Sequence, residues 1–278
     1  WVGQQLADGL DFWGFLGSLI LGGIILGIYT GLLGYVGAKT GLSLDLLSQR
    51  AFGEKGSYLP SAMTSFTQIG WFGVGSFVSG GTATPNFARF AKNGKSGAIT
   101  TVVAFFIGNS LMFFFGAVSS IFVGGNDIFE VMVRLNLFYL AVLVLGLNIW
   151  TTNDNALYTA GLGLANIFHQ KKKPMVLLSG IIGTVASVWL YYNFCGWLNI
   201  LNCTLPPVGM ILVLAYFMNK EDFETDQPKL KTIDWFAVAG VILGAIVANL
   251  LHWGIASING MVVAAVCYCV GQAVNKRK

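Results

Sequence analysis

The chain has 278 residues, 55% of them hydrophobic and only 10% charged, with 36 glycines, a net charge of +4 and a mean hydropathy of +0.70. Soluble domains carry about a quarter charged residues, so the composition excludes a water-facing surface and specifies an all-α integral membrane protein in a lipid bilayer. The basic residues stand in short clusters between apolar runs, which excludes the continuous basic face that nucleic acid requires.

At about 20 apolar residues per crossing, the sequence predicts helices over 10–36, 58–75, 76–90, 96–122, 135–168, 175–198, 204–218, 235–251 and 256–274. In the first, Gly23, Gly27 and Gly31 recur every fourth residue, the pattern of a helix-packing stripe. The connection 37–56 ("GAKTGLSLDLLSQRAFGEKG") is amphipathic and predicts a short surface helix. With this connection inside and Asp8 and Asp11 outside, "GGNDIFE" (124–130) falls outside. "QKKK" (170–173), the 219–233 linker and "NKRK" (275–278) then fall inside, on one side as basic clusters should. One interval breaks the parity. Lys55 and Arg89 both belong inside, yet the residues between them are too few for two crossings, which need about 40 and a turn. Either "GWFGVGSFVSGG" folds back within the membrane, or residues are absent between Gly75 and Ser76. Absence is the expectation, because irregular backbone facing lipid is costly.

Three clusters are candidates for function. On 58–75, Gln68 and Trp71 share a helix face and set an amide beside a flat aromatic surface, which suits a planar, hydrogen-bonding ring. Trp is equally a common packing and interface residue. In "SFVSGGTATPNFARF" (76–90), Gly80 and Gly81 can break a helix, and Thr82 or Thr84 with Pro85 can start another, leaving Phe77 and Ser79 at the break. Broken helices line transporter cavities, although a simple kink has the same signature. The third cluster, "NIWTTNDN" (148–155), stands in the middle of an apolar run. On a helix turning about 100° per residue, Asn148, Thr151, Thr152 and Asn155 form one stripe. Uncharged oxygens of this kind suit a weakly held hard cation such as Na⁺. Interhelical hydrogen bonding, with the threonines bonded back to carbonyls one turn earlier, is the alternative. Asp154, the only acid within an apolar span, lies off the stripe and reads as a structural hydrogen-bonding group or a proton carrier.

The remaining polar features carry little chemistry. Cys267 and Cys269 read as buried in an apolar helix, Cys195 and Cys203 as near a helix junction, and none has metal or redox spacing. His169 and His252 are isolated at span ends. "LNCTLPPVG" (201–209) predicts a helix junction or kink. With no nucleophile elbow, phosphate loop or carboxylate pair, an enzyme is not expected, and no cofactor is called for. A channel-like pore lined by the polar stripe is the rival to a transporter.

"LGLNIWTTNDNALY", "TQIGWFGVG", "GTATPNFARF", "GNSLMFFFGA" and "LGYVGAKTGL" together resemble the nucleobase:cation symporter-1 family, nearly end to end. The resemblance implies a LeuT-like fold of two inverted five-helix repeats plus two further helices, with broken helices at mid-membrane, in a bacterial cytoplasmic membrane. It implies a monomeric symporter that imports cytosine with Na⁺ as coupling ion by alternating access; another nucleobase, a hydantoin-like ring, or proton coupling stays open. By position, Gln68 would bond the pyrimidine edge, Trp71 and Phe77 would stack on its two faces, and Ser76 and Ser79 would add polar contacts. The Asn148 carbonyl and the Thr151 and Thr152 hydroxyls resemble the sodium ligands, and Asn153 a further amide at the substrate, where the stripe prefers Asn155. Compared with the family, the sequence lacks the start of helix one and the region between Gly75 and Ser76, so that one transporter domain is present in part.

Overall fold

A computed structural model describes residues 11–74, 83–124, 128–225, 227–228, 230–251 and 253–275, and all regular structure among them is helical. In chain order the helices are α1 (Phe12–Thr40), α2 (Leu44–Phe52), α3 (Tyr58–Val74), α4 (Pro85–Ala88), α5 (Gly94–Val123) and α6 (Ile128–Arg134). There follow α7 (Phe138–Phe168), α8 (Lys172–Tyr192), α9 (Phe194–Met218), α10 (Lys220–Glu224), α11 (Trp235–Leu250) and α12 (Ala256–Asn275). Five of them, α1, α5, α12 and most of α8 and α9, are long and apolar enough to cross a membrane. Asp8, Ser76, Phe77, Ser79, the Gly80–Gly81 break and His252 lie outside the described residues.

The glycine stripe of α1 packs on α5. A Cβ at Gly31 would come within 2.6 Å of Val102 Cγ2, and one at Gly34 within 2.5 Å of Thr101 Oγ1, so these two backbones approach only because side chains are missing. Asp11 caps α1 by accepting from the Gly14 amide at 3.1 Å, and Gly41 closes it in the left-handed region at φ 68°. The predicted surface helix is α2, capped by Ser43. It sits under the largest core cluster, where Leu47 and Phe52 meet Val36 of α1, Ile211 and Tyr216 of α9, and Val241 of α11.

Charge-based topology agrees with the contacts. The Glu54 and Lys55 amides donate to the Lys231 and Thr232 carbonyls at 2.8 and 2.9 Å, and Arg50 reaches the Asp222 carbonyl at 2.6 Å. Tyr58 lies edge-on to His169, with ring centroids 5.8 Å apart. The 37–56 connection, the 219–233 linker and the approach to "QKKK" therefore gather at one end of the bundle, the cytoplasmic end by the charge rule.

Three sequence expectations are corrected. Of the junction or kink expected at "LNCTLPPVG", the junction is absent; α8 and α9 part at Asn193, and both prolines lie inside α9, where a kink remains the reading they allow. Pro206 cannot bond the Asn202 carbonyl four residues back, but the Ser257 hydroxyl of α12 lies within hydrogen-bond reach of that oxygen, at 3.2 Å, and of Asn202 Oδ1, so one O–H from the neighbouring helix is shared between the two acceptors. Beside it, Gly244 of α11 and Gly260 of α12 close on Pro207, where a Cβ on either glycine would lie within 3.3 Å of the ring. Cys269 is exposed on the outer face of α12 and Cys267 is half-buried, whereas Cys203 is buried as a small apolar group would be. Between 83 and 93 the only helix is α4, with Pro85 at its first position and Thr84 before it.

Candidate functional site

Helices α3, α5 and α7 and the 83–92 segment line an open cavity of about 1110 Å³. Small-molecule pockets run to about 300–1,000 Å³, so the space exceeds what one flat base fills. From α3 comes Gln68, 7% exposed; from α7 come Asn148, Thr152, Asn155 and Thr159; the polar and aromatic lining also includes Asn109 and Thr100 of α5 and Thr84 and Phe87 of the 83–92 segment. Lys92 is the one charged residue among those that line it. Apart from Lys92 the wall carries amides and hydroxyls, which suit a hydrogen-bonding solute.

The polar stripe explains why α7 presents this set. Asn148, Thr152, Asn155 and Thr159 advance by four, three and four residues and so keep to one side of the helix. Within it the Thr152 hydroxyl donates to Asn148 Oδ1 at 3.3 Å. Thr159 Oγ1 is buried without a hydrogen-bond partner in the protein. Thr151 is turned away: its hydroxyl bonds back to the Leu147 and Asn148 carbonyls at 3.2 and 3.1 Å. Asn153 is half-buried outside the lining, and its Oδ1 has no partner in the protein. Asp154 accepts from Trp150 Nε1 one turn earlier at 3.2 Å, both side chains lying on the exposed face.

The structure thus brings Gln68, Asn148 and Thr152 to one cavity, together with Asn155, and leaves Thr151 and Asn153 off it. Trp71 stands on α3 one turn beyond Gln68, but its side chain is outside what is described, as are Ser76, Phe77 and Ser79 altogether. Asn148 and Thr152 give two neutral oxygens to a cation, a partial fit for Na⁺, since hard cations take about six or more. Thr159 and Asn109 were legible as site residues: one extends the stripe by a turn, and the other is the amide in an otherwise apolar stretch of α5. Thr84 and Phe87 carried no such signal, because only the fold brings their segment against α7.

A family profile described as "Permease for cytosine/purines, uracil, thiamine, allantoin" matches residues 1–84 and 74–274. The chain is 35% identical over 371 aligned positions to the cytosine permease of Escherichia coli (strain K12), covering 100% of this chain and 88% of that protein, and equally similar to that of Escherichia coli O157:H7. It is also similar to the allantoin permease of Bacillus subtilis (strain 168), 34% identical over 82 residues, covering 30% of this chain and 16% of that one. The first alignment spans 371 positions and this chain has 278 residues to fill them, while the family profile restarts within 74–84, where the charge parity fails.

Proposed function

We propose, on the premise that this chain belongs to the permease family for cytosine/purines, uracil, thiamine and allantoin, that its cavity takes up cytosine and uses Na⁺ as the coupling ion. The coarser statement, a multi-pass membrane transporter of nucleobases and no enzyme, is the family's own. What carries the finer reading is the meeting of Gln68 from α3 with Asn148, Thr152 and Asn155 from α7 across one cavity. An amide supplies a donor and an acceptor side by side, which is what a pyrimidine edge needs, and Gln68 is held by a buried helix rather than a loop. On the facing helix, Asn148 and Thr152 offer oxygens without charge, so a cation bound there is held weakly enough to leave.

Coupling requires only that each ligand favour the state the other binds, and the effect is reciprocal. Sodium at Asn148 and Thr152 would fix the α7 stripe, on which Asn155 faces the base; inward opening of the cavity would release both. Water or carbonyl oxygens across the cavity would complete the ion's coordination. The chain would act in a bacterial cytoplasmic membrane as a LeuT-like alternating-access symporter, with residues expected between Gly75 and Ser76 completing the site. The test is thermal denaturation of the purified chain with nucleobases, with and without sodium. Cytosine should raise the transition temperature more in sodium than in choline, and Thr152→Ala should abolish that difference while retaining the sodium-free shift. An equal shift in both salts would remove sodium from the reading, and a shift with uracil or hypoxanthine but not cytosine would change the substrate.

A further inference from the structure

Beneath the cavity, at the cytoplasmic end, a second group of polar side chains converges on α2. Asp45, 6% exposed in the first turn of that helix, accepts a hydrogen bond from Ser61 of α3 at 2.6 Å. Asn166, near the end of α7, donates to both Ser57 and Ser61, at 3.1 and 2.9 Å, and accepts from Gln49 of α2 at 2.6 Å. Asn86 of α4 accepts from the Leu44 amide at 2.8 Å. One nine-residue helix therefore grips three elements, and these carry the cavity's walls: α3 with Gln68, α7 with the polar stripe, and the segment with Thr84 and Phe87. That segment is held from behind, since Thr84 and Phe87 face the cavity while Asn86 between them reaches α2.

We propose that Asp45 is a proton-controlled positioning residue for transport, a role that rests on the transporter reading above: with its carboxyl protonated, α2 clamps the cytoplasmic ends of the three walls together, and loss of the proton lets the 83–91 wall part from α2. The geometry gives the carboxylate poor support, a single hydroxyl and its own backbone amide in a buried place. Burial is the largest influence and pushes the carboxyl up to about 6 from its ordinary 3.8, against the lowering effects of Ser61, the Asp45 backbone amide and Arg89. Arg89 is the charge that acts on Asp45, and its attraction opposes the effect of burial; the other ionisable groups around α2 are engaged elsewhere. Arg50 donates to the Asp222 carbonyl, Tyr216 to Glu224, Lys39 faces Glu224, Lys231 pairs with Asp234, and His169 meets Tyr58. Arg89 itself donates to the Tyr158 hydroxyl, with Lys172 over the same ring. Ser48 Oγ on α2 and Asn86 Nδ2 are buried without partners in the protein, which leaves donors for a second arrangement.

The sign follows from linkage. The clamped state holds the proton more tightly than a solvated carboxyl does, so this contribution is present in full below the ordinary value of 3.8 and is lost as pH rises from there through about 6. Between pH 5 and pH 7 one such group changes the clamping equilibrium about tenfold. Hydrogen–deuterium exchange on the full chain in lipid, without cytosine or sodium and corrected for the intrinsic pH dependence of exchange, reads the opening directly at the Leu44 amide and at 85–91. Opening should be about tenfold greater at pH 7 than at pH 5. Asp45→Asn should flatten the profile, and Ser61→Ala should move its midpoint upward, because the carboxylate loses a donor. A flat profile in the unaltered chain, a pH dependence that survives in Asp45→Asn, or an unmoved midpoint in Ser61→Ala overturns the proposal. Should Asp45→Asn fail to fold, the Ser61→Ala midpoint decides alone. No ligand enters the measurement, so failure of the cytosine reading in thermal denaturation and failure of the clamp are seen separately.

Discussion

At the scale of single residues, two asparagines two positions apart make the sharpest test of the site. Asn155 lines the cavity beside Thr152 and Asn148, and Asn153 does not. A hydrogen bond lost to a buried ligand costs about 0.5–1.5 kcal/mol, so Asn155→Ala should weaken cytosine binding up to about tenfold by calorimetry, with Asn153→Ala close to unaltered. The reverse order would mean that α7 is turned about its axis relative to the described arrangement. Helical arithmetic made Asn148, Thr152 and Asn155 readable in the sequence, but it also put Thr151 on the stripe, and that hydroxyl bonds back to the Leu147 and Asn148 carbonyls off the cavity. The Asp45 cluster was not readable. Ser61, Asn166 and Asn86 are scattered along the chain, and each alone has the look of an ordinary polar residue near a span's end; only tertiary contact makes them one group.

At the scale of elements, α1 against α5 shows both how far pattern reading reaches and where it stops. The four-residue glycine spacing identified the packing face, but the closest approach lies past the spotted trio, at Gly34, where an added Cβ would also stand 3.1 Å from the Gly97 carbonyl. Gly34→Leu should therefore destabilise the chain by about 1–3 kcal/mol or more, measured as a fall in transition temperature in detergent, since backbone rather than a pliable side chain is in the way. Gly17→Leu, where an added Cβ meets nothing, is the control and should leave the temperature in place. Helix ends were less legible than helix faces. The prolines drew the expected junction into α9, because a sequence shows that Pro206 lacks a donor but not that Ser257 will take up the carbonyl it leaves.

At the scale of the whole molecule, the bundle is unevenly clothed. α9 is largely buried, whereas the first half of α7 is exposed except along the side of Ala141 and Leu145, with Tyr139, Leu143 and Trp150 exposed and the polar Asn148 and Thr151 among them. Apolar groups may face lipid freely, but amides and hydroxyls at mid-depth are costly there. If residues belong between Gly75 and Ser76, as the charge parity expects, inserting there a stretch taken from the Escherichia coli relative should cover them, which would appear as slower amide exchange across 139–152 and a higher transition temperature. The same exchange with and without the insert would show those faces lie open to lipid by nature. The other end of the chain shows the opposite condition. By handing the Asn202 carbonyl to Ser257, the proline turns a bond along one helix into a rivet between two, and Gly244 and Gly260 bring their neighbours flush beside it. The last three long helices are thereby fastened into a single slab, an anchorage against which the mobile parts of a transport cycle can push without dragging it along.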